Sequence, residues 1–280
     1  MTAGLIQDVL GPGRVLVGSC EWRGVGLHGG MMGCVQLRPA PLGWWLVGRG
    51  GERCRVGEAR VVDVARRVVI EMPWGERWAG VEHLFAALNG LGLQGVEMAL
   101  VEGEELPVLD GSAAGYCQAM LARGLVQARQ VSWYRLRRPV TVCEGDAWLR
   151  LRPSSRRRVA YGLDYGELPP RMAKRVVWED GADFVDRLAG ARTFTFLSWL
   201  DRLRASGLAR GGSLANAVVF SAGQCLNPDG LRFRDEPLRH KVLDFLGDFA
   251  LLGRPLLAAA EVWRGGHALH VHAVHALLGR

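Results

Sequence analysis

The sequence predicts an α+β protein made of two similar halves, about residues 1–128 and 129–280. Two pairs of matching segments carry that prediction. Val35–Val47 (VQLRPAPLGWWLV) and Leu149–Leu163 (LRLRPSSRRRVAYGL) each read as a strand, an Arg-Pro break, a short turn and a second strand. Glu82–Leu93 (EHLFAALNGLGL) and Arg239–Gly253 (RHKVLDFLGDFALLG) each open on a charged residue followed by His, continue with helical spacing of apolar residues, and run out at glycine. A strand-like run comes after each of them, Val96–Val101 and Leu256–Val262. One plan used twice puts the two His-bearing helix starts at equivalent positions. If the sheets pack so that these helices meet, His83 and His240 converge on one site.

Along the chain, Gly24–Gly30 (GVGLHGG) has the spacing of a dinucleotide fingerprint, which needs a strand before it and a helix after it. The next segment, Met32–Leu37, reads as a strand, so Gly24–Gly30 is read as a glycine-dense turn carrying His28. Further on, Glu82 and His83 are neighbours at a helix start and point about 100° apart. His83 can then bind a metal while Glu82 addresses a water from the side. A glutamate there also simply suits the helix dipole. In Leu106–Ala114 (LPVLDGSAA), Asp110-Gly111 is a turn, and Asp110 or Ser112 can cap the helix after it.

In Ala191–Phe194 (ARTF), Thr193 can donate to a developing oxyanion. The glycines within 207–212 mark a loop that can shape an apolar passage. On the second His-bearing helix, His240 and Asp244 are four apart and share a face, which Asp248 continues. That pair offers two ligands to one cation, or is an ordinary surface pair. Gly265-Gly266 lets the backbone turn and expose His267, a candidate general acid oriented by Asp248. His270, His272 and His275 are taken as solvent-facing.

Composition narrows the classes. The chain has 280 residues, 49% hydrophobic, enough for one large or two medium domains with a packed core. No apolar run reaches the roughly 18 residues that span a bilayer; the longest, Phe245–Ala260, is broken by Asp248, Arg254 and Pro255. The start, MTAGLIQDVLGPGR, lacks the order of a signal peptide, so a soluble intracellular chain is expected. Six cysteines form no CxxC pair, which points to free thiols rather than a zinc knuckle or a disulfide framework. The net charge of +7 comes almost wholly from Arg. Apart from Arg156–Arg158 the arginines are scattered, without a basic stripe interleaved with aromatics, so no nucleic acid is expected as a partner.

Taken together, GVGLHGG at 24–30, VEHLFAALNGLG at 81–92, LPVLDGSA at 106–113, ARTF at 191–194, LARGGSLANAVV at 208–219, LNPDGLRFRDEPLRHKVLDFLGDF at 226–249 and GGHAL at 265–269 resemble the UDP-3-O-acyl-N-acetylglucosamine deacetylases of lipid A synthesis, in family order over nearly the whole chain. The resemblance implies two similar α/β-sandwich-type domains facing each other with the metal site between them. It implies Zn2+ on His83, His240 and Asp244, with Fe2+ also suited to two His and one carboxylate. It assigns Glu82 as general base, His267 as protonated general acid held by Asp248, and Thr193 to the oxyanion. Lys241 would meet the anionic nucleotide part, and Asp164 and Tyr165 a further part of the substrate. Phe194, Leu197, Gly212, Leu214 and Val218 would border the acyl chain.

The implied partner is a UDP-linked acylated aminosugar, in the cytoplasm of a Gram-negative bacterium, with transient contact at the inner membrane surface and no obligate protein partner. The sequence departs from the family pattern in three places. Gly29 stands where the family has Ser or Thr, Gly80 stands where it has Thr, and no His-Pro comes after Asp164-Tyr165. Two alternatives stay open: a related deacetylase of another N-acetylated sugar, and a non-catalytic relative that binds metal or lipid-sugar.

Overall fold

A computed structural model describes residues 4–180 and 183–280. Met1–Ala3, the first residues of the segment read for a leader, lie outside the described part. The helices are α1 (Glu82–Gly90), α2 (Ala114–Arg123), α3 (Leu200–Ala205), α4 (Glu236–Phe249) and α5 (His267–Leu278). Among the described residues no helix is long and apolar enough to cross a membrane.

Each half contains a five-stranded unit of the same order. In the first, Cys20–Val25, Met32–Pro39, Val96–Glu102, Trp44–Val47 and Arg53–Arg55 lie side by side. In the second, Val140–Glu144, Ala147–Pro153, Leu256–Trp263, Arg158–Gly162 and Arg175–Glu179 do the same. In both, the central strand is the last in sequence, and it is antiparallel to the second strand and parallel to the third. The Arg-Pro breaks fall where strands stop, at Pro39 and Pro153. Proline brings no N–H to a ladder, which suits it to a strand end. Period-two alternation is plainest on Leu256–Trp263, whose every second residue is buried.

The chain between the units is itself a strand. Leu125–Leu136 runs antiparallel to Ile6–Leu16 and meets Leu256 and Leu257 in parallel, so one eight-stranded sheet reaches across both halves. The boundary placed at 128/129 lies inside this strand.

Both units carry an insertion at the same point, between the last hairpin and the His-bearing helix. The first insertion is the antiparallel sheet Arg60–Asp63, Val69–Glu71, Arg77–Ala79. The second holds Phe194–Phe196, Val218–Ser221, Gln224–Cys225 and α3.

Helices α1 and α4 pack on each other at the centre. Every residue of α1 from Glu82 to Asn89 is buried, and so is every residue of α4 except Arg239. A helix covered on all sides tolerates polar groups only where they are partnered or functional. The crossing is close because Gly247 has no side chain: a Cβ there would stand 2.1 Å from the Glu82 carbonyl oxygen. Asn89 locks the other end of α1 by donating to the Leu246 carbonyl at 2.7 Å. Arg157 adds a third tie, donating to Asn89 at 2.7 and 2.9 Å and to the Asp180 carboxylate at 2.8 Å. These contacts fix where Glu82 and His83, the first residues of α1, stand over α4.

Candidate active site

The crossing of α1 on α4 brings His83 beside His240, with ring centroids 5.1 Å apart and planes near perpendicular. One ligand atom each from His83, His240 and Asp244 lies within 4.8 Å of the others, and all three residues are buried. The Nδ1 of His240 is 3.0 Å from the Ala191 carbonyl, which can only accept, so Nδ1 carries a hydrogen, and with burial favouring the neutral ring Nε2 keeps a lone pair. That lone pair faces Asp244 Oδ1 at 3.2 Å, and Oδ1 has no hydrogen-bond partner. Burial holds His240 and His83 below the ordinary imidazole range, His83 at about 3. Two buried acceptors facing each other without a proton repel unless a cation stands between them. This donor set fits a divalent ion of the zinc type. The other oxygen of Asp244 accepts from Lys241 Nζ at 2.7 Å. Burial opposes ionisation of Asp244, but the Lys241 ammonium bonded to it overrides burial and holds the carboxyl below its usual range.

Glu82 faces the same cavity and accepts from the Val68 N–H at 3.2 Å. Burial pushes its carboxyl up to about 7. His267 takes the opposite setting: burial lowers it, but the Asp248 carboxylate outweighs burial and raises it to about 9. Its Nδ1 donates to Asp248 Oδ2 at 2.8 Å. A carboxyl poised to lose a proton and an imidazolium poised to give one therefore share one cavity of about 350 Å³ with His83, His240 and Asp244.

A second cavity of about 350 Å³ adjoins the first and shares Leu27, Arg66, Thr193 and Phe194 with it. Its wall is apolar, with Leu197, Leu200, Leu203, Leu214 and Val219, and Gly212 lies on it. Thr193 is set by backbone bonds, its N–H to Gly111 at 2.8 Å and its carbonyl to the Val218 N–H at 2.8 Å. The ring of Phe194 lies 6.4 Å from that of His240.

Several expectations need correction. Val218 does not line the apolar cavity; it is fully buried with Phe196 and Phe220, and its neighbour Val219 faces the cavity. Strand alternation puts adjacent residues on opposite faces. His270 is not solvent-facing. It is fully buried, because α5 lays that face on α4, and it donates from Nδ1 to Asp248 at 2.7 Å. His272 is exposed, as expected, and His275 is half-buried. Asp164 is exposed and paired with Lys174 at 2.9 Å, whereas Tyr165 does border the metal-side cavity. Lys241 borders it too, but its ammonium is bonded to Asp244 rather than standing free. Of the two cap candidates, Ser112 serves the start of α2, its Oγ accepting from the N–H of the first helical residue, Ala114, at 3.1 Å, while Asp110 accepts from Ser112 instead of reaching the helix.

Other supports were not singled out from the sequence. Glu236, fully buried, pairs with Arg192 at 2.8 Å and accepts from the Arg232 N–H, tying the ARTF segment to the start of α4. That tie holds Ala191, whose carbonyl fixes His240. Glu105 accepts from the N–H groups of His28 and Gly29 at 2.8 and 2.6 Å, clasping the glycine turn, and His28 borders the apolar cavity. Burial, with Arg67 nearby, holds His28 at about 4 and therefore neutral. Glu236 lies within the 226–249 segment and Glu105 directly before the 106–113 segment, and that proximity is the signal the sequence offers.

Residues 14–279 match the family model described as LpxC, UDP-3-O-acyl N-acetylglycosamine deacetylase. The chain belongs to this family. It is 36% identical over 263 residues to the UDP-3-O-acyl-N-acetylglucosamine deacetylase of Shewanella loihica, covering 91% of this chain and 86% of that one. The deacetylase of Myxococcus xanthus is 37% identical over 264 residues, 92% of this chain and 83% of the relative. That of Thermosynechococcus vestitus is 37% identical over 274 residues, 94% and 93% of the two chains. The LpxC family is one of metal-dependent deacetylases, and the chain is an enzyme of that hydrolase class.

Proposed function

We propose that this chain hydrolyses the N-acetyl group of UDP-3-O-(3-hydroxyacyl)-N-acetylglucosamine, releasing acetate and the free amine, a step of lipid A synthesis. The observation that carries the reading is the buried pair His240 Nε2 and Asp244 Oδ1, two facing acceptors beside His83, Glu82 and His267. His83, His240 and Asp244 would hold Zn2+, with Fe2+ the other ion this donor set suits. When bound, the cation supplies Lewis acidity toward the amide carbonyl and acidifies water.

The side chains do the rest. Glu82, ionised, takes a proton from the attacking water as its oxygen bonds to the acetamide carbon. The carbonyl electrons move onto oxygen, toward which the Thr193 hydroxyl donates. His267 then gives its Nε2 proton to the nitrogen as the C–N bond breaks, and Asp248 holds that imidazolium in place. The sugar borders Tyr165 in the metal-side cavity. The acyl chain runs past Phe194 into the apolar cavity along Leu197, Gly212 and Leu214. Lys241, on the wall of the metal-side cavity, would meet the anionic nucleotide part, and Asp164, next to Tyr165 in the chain, a further part of the substrate.

We read 1–128 and 129–280 as the two working units, in the cytoplasm, with transient contact at the inner membrane surface where an acylated substrate is handled. The test is acetate release from UDP-3-O-(3-hydroxyacyl)-GlcNAc beside UDP-GlcNAc. Strong preference for the acylated substrate is expected, and no release from either contradicts the reading.

A further inference from the structure

Asp248 receives two imidazoles on one oxygen. His267 donates from Nδ1 at 2.8 Å and His270 from Nδ1 at 2.7 Å, both to Oδ2, and buried Oδ1 has no partner. His270 cannot reach the cavity, since it is fully buried with its ring against Phe245. Its Nε2 lies 2.9 Å from the Tyr161 hydroxyl, which is also fully buried. Because His270 Nδ1 must carry the hydrogen to face a carboxylate, Nε2 is the acceptor and Tyr161 the donor. The bonds then run in one direction: Tyr161 to His270, His270 to Asp248, and Asp248 holding His267 against the cavity.

We propose that His270 and Tyr161 are positioning residues for His267. A carboxylate is nearly two-fold about its last torsion, so a single donor leaves it free to present either oxygen. The second donor on Oδ2 removes that freedom and with it the freedom of His267 to turn from the cavity. Tyr161 fixes which nitrogen of His270 bears the hydrogen; the other tautomer would set a lone pair against Asp248.

Gly265 supplies an independent sign that the pair is accommodated. A Cβ there would meet the Val262 side chain first, at 2.5 Å, then the Tyr161 hydroxyl at 2.8 Å and His270 Nε2 at 3.4 Å. Gly265, two residues before His267, thus leaves room for Val262 and for the relay. Burial pushes Tyr161 above its ordinary range and His270 below its own, so the first stays a donor and the second stays neutral.

The inference rests on the reading of His267 as the proton donor, and the test separates the two. On the metal-loaded protein, NMR with 15N-labelled histidine reads the tautomers directly. Three hydrogen-bonded Nδ1–H signals are expected, from His240 on the Ala191 carbonyl and from His267 and His270 on Asp248. His270→Phe should lose its own signal and move that of His267. It should also lower kcat about ten- to a hundred-fold, as loss of a supporting hydrogen bond does, with KM unchanged. His270→Asn, which keeps a donor near the Nδ1 position, should restore most of kcat. Tyr161→Phe removes one oxygen atom and serves if His270→Phe does not fold; it should change the His270 tautomer and lower kcat less. An unmoved His267 signal, or a kcat loss that Asn does not recover, overturns the proposal. If the wild type releases no acetate, the functional reading fails, and the NMR signals still decide the inference.

Discussion

Helices α1 and α4 hold equivalent places in two units of the same strand order, yet they contribute to the site in different ways. Helix α1 uses only its first two residues, Glu82 and His83. Helix α4 uses a stripe, His240, Asp244 and Asp248, one turn apart along one face. The stripe is held by its own helix and by Glu236 and Ala191 at its start. The pair on α1 is held by the register of one helix against the other, through Gly247, Asn89 and Arg157. The insertions diverge in the same sense. The first gives the tip at Val64–Arg66 to the cavity wall, and the second gives nearly all of the apolar passage. The duplicated frame places the chemistry, and the unequal insertions shape what reaches it.

The sharpest way to separate the contributions is Glu82→Gln. It should cost about 10²–10⁴ in kcat, the usual worth of a general base, while the metal content stays at the wild-type level. In the wild type, kcat/KM should rise with pH as Glu82 loses its proton, at or below about 7 since a bound cation lowers it further, and fall as His267 loses its own near 9. The substitution should abolish the rise and keep the fall. A pH profile of the variant that still rises would remove Glu82 from this role.

The register claim is strained next by Gly247→Ala. Its Cβ meets backbone rather than a yielding side chain. Loss of about 1–3 kcal/mol of stability is expected, read by chemical denaturation, together with lower kcat because Glu82 and His83 shift. Unchanged stability would mean that the helices are free to slide.

Smallest is the effect in the second insertion. Leu214→Ser removes apolar contact worth about 1–2 kcal/mol, near tenfold in kcat/KM for an acylated substrate. The non-acylated sugar should react as before, and an equal loss on both substrates would detach Leu214 from the acyl chain.

The repeated frame was legible because its marks are local: Arg-Pro strand ends, a His after a charge on each central helix, and glycine beyond each of them; the helix starts themselves differ, since His83 is the second residue of α1 whereas α4 begins at Glu236, about one turn before His240. His83 and His240 converge because α1 packs its first turn against α4, not because the two helix starts are equivalent. The insertions were not legible as sheets, since strands of three or four residues such as Val69–Glu71 and Phe194–Phe196 are too short to show a period. Val218 was mistaken for Val219 because the passage wall depends on the phase of a four-residue strand. His270 was misread because α5 carries apolar residues and histidines around most of its circumference. Only the packing of α4 beneath it reveals which histidine is enclosed.

The central claim is that two helices from the two halves hold one metal. Metal analysis of the purified wild type, His83→Ala and His240→Ala tests it most directly. One zinc or iron per chain is expected in the wild type, with marked loss in each variant, although each lacks a ligand from a different half. Wild-type metal content in both variants, or none in a wild type that releases acetate, would contradict the account.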